Sequence, residues 1–192
     1  MTINRFFSEY TITKAVACET PLLNDSVATL EIVRLATGVY NDGLYVILCR
    51  EEAAQLTKLI EAVFPTAAGS VTAFAADWMG RVFATDTSIL DPRRMATVTC
   101  FDFAEPSSFA TDASFVDFHD STAVDMKSEL FNLMQFQGWA ASNPLPSDGS
   151  SCVGYRIPLF LGGTDSQDNM ELGDRSVYIH LLAQLWQSSN SR

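Results

Sequence analysis

Apolar positions recur at helical spacing in several stretches of the chain. Across residues 51–64, Leu56, Leu59, Ile60 and Val63 fall on one side. Glu51 and Glu52 occupy the first turn, where the helix dipole favours negative charge, and Pro65 ends the run. Residues 124–137 place Met126, Leu130, Leu133 and Met134 on one face, with Gly138 as a cap. A closing helix that starts near Ser176 packs Val177, Leu181, Leu182 and Leu185. Two helices are expected earlier. Residues 3–10 carry Phe6 and Phe7 onto the body. Pro21 and the cluster Asn24, Asp25 and Ser26 announce a second helix, because short polar side chains accept first-turn N–H bonds. In it Leu30, Val33 and Ala36 share one face, Glu31 and Arg34 the other, and Gly38 caps the end.

Strand signals lie between these helices. Asn41, Asp42 and Gly43 mark a turn before the β-favouring run 44–48. Residues 71–75, 81–84 and 96–103 also read as strands. Asp77, Trp78, Met79 and Gly80 join the first two closely enough for an antiparallel hairpin. Pro106, Ser107 and Ser108 break the β-rich stretch, after which the chain is expected to turn helical. Residues 143–151, rich in Pro, Ser, Asn and Gly, form the best interior linker. Residues 155–161 make a last strand, and Gly162 and Gly163 permit a tight turn. The pattern predicts an α+β fold: a central, mostly antiparallel sheet flanked by helices, closed by a C-terminal strand-turn-helix unit.

Composition narrows the class. At 192 residues, with 47% apolar residues and thirteen Phe, the chain has ample material for a core. Disorder is expected only at the ends, such as residues 187–192. The N-terminus lacks the basic and apolar regions of a signal peptide, and no apolar run approaches the roughly 18–20 residues that span a bilayer. A cytoplasmic protein without membrane contact is expected. Cys18, Cys49, Cys100 and Cys152 lie far apart, with two His to help them. They are therefore read as small buried hydrophobes rather than a metal or redox site.

Net charge changes the picture more. At −11, the chain is ill suited to bind DNA, RNA or an anionic membrane directly. Residues 1–96 carry 8 basic and 11 acidic groups; residues 97–192 carry 4 and 12. Asp102, Glu105, Asp112, Asp117, Asp120, Asp125 and Glu129 crowd one segment against Lys127 alone. Such a segment either captures a basic protein or forms a solvated face.

Catalytic chemistry finds little support. The candidates for a nucleophile–His–acid site are His119 and His180, and His180 shares a polar helix face with Gln184. His119 beside Asp120 lacks the further His ligands of a metal hydrolase. Gly-rich phosphate loops and the G-x-S-x-G elbow are absent. Asp77 and Asp86 flank the hairpin, where turn capping explains them better than a carboxylate pair. No enzyme activity, metal or cofactor is expected.

The C-terminal residues carry a resemblance. Gly154-Tyr155, then Pro158 through Gly163, Asn169, and residues 177–185 are similar to the C-terminal domain of bacterial immunity proteins against type VI secretion DNase toxins. Residues 78–86, from Trp78 through Gly80 and Phe83 to Asp86, resemble the aromatic–Gly turn of the same proteins. The leading part, with Pro21 and the strand after Gly43, resembles their GAD-like N-terminal part more loosely. The resemblance implies a division into residues 1–106 and 107–192, packed as one compact unit. It further implies a cytoplasmic antitoxin that binds a cognate toxin, a basic DNase domain, and occludes it. The seven acids named above are then the expected partner contacts, with Phe115, Phe118 or Trp139 as anchors or as core. The other readings are an interaction module with a non-nuclease partner and a hydrolase built on Asp77, Asp86 or His119.

Overall fold

The computed structural model describes residues 3–23 and 26–190. Seven strands form one antiparallel sheet whose spatial order follows the sequence. They are β1 Ile12–Ala15, β2 Gly38–Tyr40, β3 Tyr45–Ile47, β4 Val71–Asp77, β5 Val82–Leu90, β6 Ala96–Asp102 and β7 Ser107–Ser114. A separate hairpin pairs β8 Ser151–Tyr155 with β9 Met170–Asp174. The longer helices are α1 Asn4–Glu9, α2 Ser26–Leu35, α3 Arg50–Val63, α4 Leu133–Ala140 and α5 Arg175–Asn190. Residues 115–130 make short helical turns, among them the π-helix Phe118–Thr122. The α+β architecture is the expected one. The expected division at residue 106 falls in the turn between β6 and β7, neighbouring strands of one sheet.

Alternation along the strands sorts side chains onto two faces. Val82 lies opposite Phe101 in the ladder, and Phe83 opposite Cys100. On the Phe83 side, Tyr45, Phe118 and Phe131 close around the ring. On the Phe101 side, Phe64 from the end of α3 packs at 5.1 Å between centroids. Helical segments therefore cover both faces, and aromatic pairs of this kind add about 0.5–1.5 kcal/mol each beyond area burial. Trp78, fully buried, ties the layers together: its indole N–H donates to the Phe131 carbonyl at 2.7 Å. Its own carbonyl accepts from the Val153 amide of β8, also at 2.7 Å. The fully buried Arg175 joins the starts of α5 and α3 through Glu52, at 3.0 and 2.7 Å, and donates to the Gly149 carbonyl.

Several helices take a different phase from the one expected. In α3 the expected stripe holds, with Ala53, Leu56, Ile60 and Val63 buried. In α2 Ala28, Glu31, Ile32 and Leu35 are buried, while Leu30 and Val33 are 69% and 59% exposed. Both stripes of α2 are apolar at helical spacing, so the pattern admits two rotations and tertiary contact selects one. The same ambiguity affects α5, which buries Ile179, Leu182 and Ala183 and leaves Val177 and Leu181 exposed. Helix α2 ends at Leu35, with Ala36 in the left-handed region, and Gly38 opens β2 instead of capping. A Cβ on Gly38 would lie 2.3 Å from the Lys14 carbonyl oxygen, so the β1–β2 approach needs glycine there. The expected helix over 124–137 is interrupted at Asn132, which has φ 49°, and Gly138 lies inside α4. Met126 and Met134 face solvent; Leu130, Phe131, Phe136 and Trp139 point inward. In α1, Phe6 is buried and Phe7 exposed. Of the residues expected to cap α2, Asn24 and Asp25 lie outside the described residues. Residues 187–190 continue α5, and 191–192 lie outside the described residues.

The cysteines divide into two kinds. Cys100 and Cys152 are buried thiols, as expected, and burial pushes the Cys152 thiol up to about 12. Cys18 and Cys49 are instead bonded to each other, with 5.8 Å between their Cα atoms. Their separation of 31 residues carries no pairing signal; β1, β2 and β3 bring the two ends together. No helix among the described residues is long and apolar enough to cross a membrane.

Candidate functional site

The seven acids expected to meet a partner are all partly or fully exposed and differ in what they touch. Asp102, at the end of β6, is half-buried and caps its own turn, accepting from the Ala104 amide at 2.8 Å and the Glu105 amide at 3.3 Å. Burial raises its carboxyl above the usual range. Asp117 binds the Ser114 hydroxyl and pairs with Arg93, which also grips Asp91. Asp120 accepts from the Arg5 amide at 2.8 Å, and Asp125 pairs with the Arg5 guanidinium at 2.5 Å. Hydrogen bonds from Arg5 and Ser121 hold the Asp125 carboxyl below the usual range. These pairs fasten residues 115–125 to α1 and to the β5–β6 turn. Glu105, Asp112 and Glu129 remain exposed, with no cationic partner among the described residues.

Two of those free acids border β7, the terminal strand of the sheet. Glu105 precedes the strand, and Asp112 sits in a bulge where the register with β6 shifts, with φ 56°. A bulge with a charge beside it is a common way to keep a sheet edge from pairing with another copy. Phe109, between them, is 47% exposed. The aromatics singled out as possible anchors, Phe115, Phe118 and Trp139, are all core. Phe109 escaped notice because β7 reads SSFATDAS after a proline, with no aliphatic alternation to announce a strand.

The titratable candidates have structural roles. His119 is fully buried and surrounded by Phe6, Tyr45, Phe74, Phe115 and Phe118. Its Nδ1–H donates to the Phe115 carbonyl at 2.8 Å, so its Nε2 accepts from the Tyr45 hydroxyl at 3.0 Å. Burial pushes its pKa down to about 4. His180 bonds the Ser176 carbonyl within α5. Asp77 is buried and accepts from the Met79 and Arg81 amides and from the Arg81 guanidinium. Asp86 receives the amide and hydroxyl of Ser88 on one oxygen. Among the described residues, no three His, Cys, Asp or Glu side chains gather as a metal site.

The residues that carry the C-terminal resemblance are devices for closing the β8–β9–α5 unit. A Cβ on Gly154 would meet the Tyr178 ring at 2.5 Å, and the Tyr178 hydroxyl accepts from the Tyr155 amide at 3.0 Å. Gly163 approaches the Ile157 carbonyl so closely that a Cβ would stand 1.9 Å from its oxygen. Asn169 accepts from the Ile157 amide and donates to the Ile157 and Thr164 carbonyls, pinning the loop between the strands.

No protein-family model matches the chain, and no curated protein matches it. Among solved structures, it is similar to the crystal structure of Atu4351 from Agrobacterium tumefaciens, with a TM-score of 0.64. The two share 12% identity over 95% of this chain and 89% of that one. At that identity the likeness shows the fold. It extends over nearly the whole chain, the seven-stranded sheet and the closing hairpin and helix together.

Proposed function

We propose that this chain is an antitoxin that binds a cognate type VI secretion nuclease toxin in the cytoplasm and occludes it. The observation that carries this reading is the charge of −11 together with free acids on an open sheet edge. A DNase must present a positive surface to phosphate, and an acidic protein competes for that surface. Our reading puts the contact on the edge around β7, supported by Glu105 and Asp112, which have no cationic partner among the described residues, and by the exposed ring of Phe109. Asp117, Asp120 and Asp125 are already engaged at the surface by Arg93 and Arg5. The motif resemblance in residues 154–185 supports the family, and its residues hold the scaffold rather than the partner.

In a reducing cytoplasm Cys18 and Cys49 are expected as thiols, so the function is to be tested with and without reductant. The test is co-expression with the product of an adjacent candidate toxin gene, scoring survival and co-purification together. Rescue with a salt-sensitive 1:1 complex is the expected outcome. Neither rescue nor complex would end the antitoxin reading.

A further inference from the structure

We propose that a recess over β5, β6 and β7 binds a cationic nitrogen group, an ammonium or guanidinium, between Asp86 and Thr99. The recess has a volume of about 230 Å³, and its buried floor includes Asp86, Thr99 and Phe101. Its rim includes Thr66, Ser88 and Ser108. The ladder explains the convergence. Ala84 pairs with Thr99 and Asp86 with Thr97, so Asp86 and Thr99 are diagonal neighbours on one face, about 7–8 Å apart by sheet geometry. Ser108 and Ala110 lie on the same face, opposite Phe101 and Thr99.

Two groups in the floor lack what burial requires. Asp86 is 4% exposed yet pairs with no Lys or Arg among the described residues, and both Ser88 donors fall on the same oxygen, at 2.9 and 2.6 Å. The Thr99 hydroxyl is buried without a hydrogen-bond partner among the described residues. Asp86 has exchanged hydration for two Ser88 bonds on one oxygen and no counter-charge among the described residues, and the Thr99 hydroxyl has lost hydration without a bond in return. A cation bearing several N–H donors answers both: one N–H to the free Asp86 oxygen and one to Thr99 Oγ1. The recess needs no nuclease for this, so its test is separate from that of the antitoxin reading.

The experiment titrates methylguanidinium chloride into the ¹⁵N-labelled full chain, against sodium chloride at equal ionic strength. Saturable amide shifts at residues 86, 88, 99 and 108 are expected, absent from the salt control. Asp86→Asn keeps the Ser88 bonds and is expected to weaken binding at least about tenfold, as loss of a charged hydrogen bond does. Should that variant not fold, Thr99→Val and the recess-filling Ala110→Leu carry the test, each expected to weaken or abolish saturation. Shifts that fail to saturate, or a midpoint unchanged in the folded variants, would overturn the site. N-acetyl-arginine amide distinguishes the source: tighter binding than methylguanidinium assigns a partner's side chain, and equal or weaker binding a free small cation.

Discussion

The two faces of strands β5, β6 and β7 are built to different ends. One carries Phe83, Val98 and Cys100, and residues 115–131 close over it with Phe118 and Phe131. The other carries Asp86, Thr99 and Ser108, and the cover provided by α3 stops at Phe64, leaving a recess. The apolar face gains free energy by being covered. The second face is apolar where it is covered, at Val82, Ala84 and Phe101, and polar at the recess, where Asp86 and Thr99 gain nothing from burial against apolar groups. The acids divide in the same way. Asp117, Asp120 and Asp125, beside the aromatic layer, are engaged by Arg93 and Arg5, while Glu105 and Asp112, beside β7, have no cationic partner among the described residues.

The largest expected effect breaks the packed side. Phe118→Ala or Trp78→Ala removes a fully buried ring and should cost about 3–5 kcal/mol in urea unfolding. Thr99→Val, in the recess, should change stability by less than about 1 kcal/mol, because it replaces an unsatisfied hydroxyl with a methyl of similar shape. Equal losses at both positions would erase the distinction between the faces.

Reduction of the Cys18–Cys49 bond comes next. In the chain-entropy account a loop of this size is worth about 3–4 kcal/mol. Thermal unfolding with and without reductant, and in the Cys18→Ser/Cys49→Ser variant, measures it. An unchanged midpoint would show that the fold holds these ends without the bond.

Acid should attack the aromatic layer through His119. Its folded pKa of about 4 lies below the usual 6.5, so the unfolded chain binds the proton more tightly. The stability it contributes is complete above pH 6.5 and falls as pH drops towards 4. Urea midpoints across that window should decline, and less so in His119→Gln, which keeps hydrogen-bonding capacity without the charge. A decline of equal depth in the variant would assign the effect to other groups.

The smallest effect on stability, and the most informative for binding, is at the edge. Glu105→Gln with Asp112→Asn should leave unfolding within about 0.5 kcal/mol, as exposed charges do. The same pair should weaken the nuclease complex about tenfold at low salt and flatten its salt dependence. The Asn variants of Asp117, Asp120 and Asp125 should do the reverse, lowering stability with little effect on the complex.

How far these regions were legible depends on what each asks of its residues. Helix α3 reads directly because one apolar stripe faces one charged stripe. In α2 and α5 a second apolar stripe, Leu30 with Val33 and Val177 with Leu181, points to solvent, so periodicity alone could not set the rotation. Strand β7 was hidden by its serines, threonine and alanines, which pack lightly at an edge and carry no period-two signal. The acidic segment was visible as composition, but its pairing with Arg5, more than a hundred residues away, is a property of the fold. Asp86 and Thr99 stand 13 positions apart and meet only through the hairpin register.

Hydrogen–deuterium exchange on the chain, free and bound to the proposed toxin partner, addresses the central claim most directly. New protection should concentrate in residues 105–112, with the helical segment 115–140 unchanged. Protection confined to residues 115–140, with the β7 edge exchanging as in the free chain, would place the partner on the packed side and contradict the account.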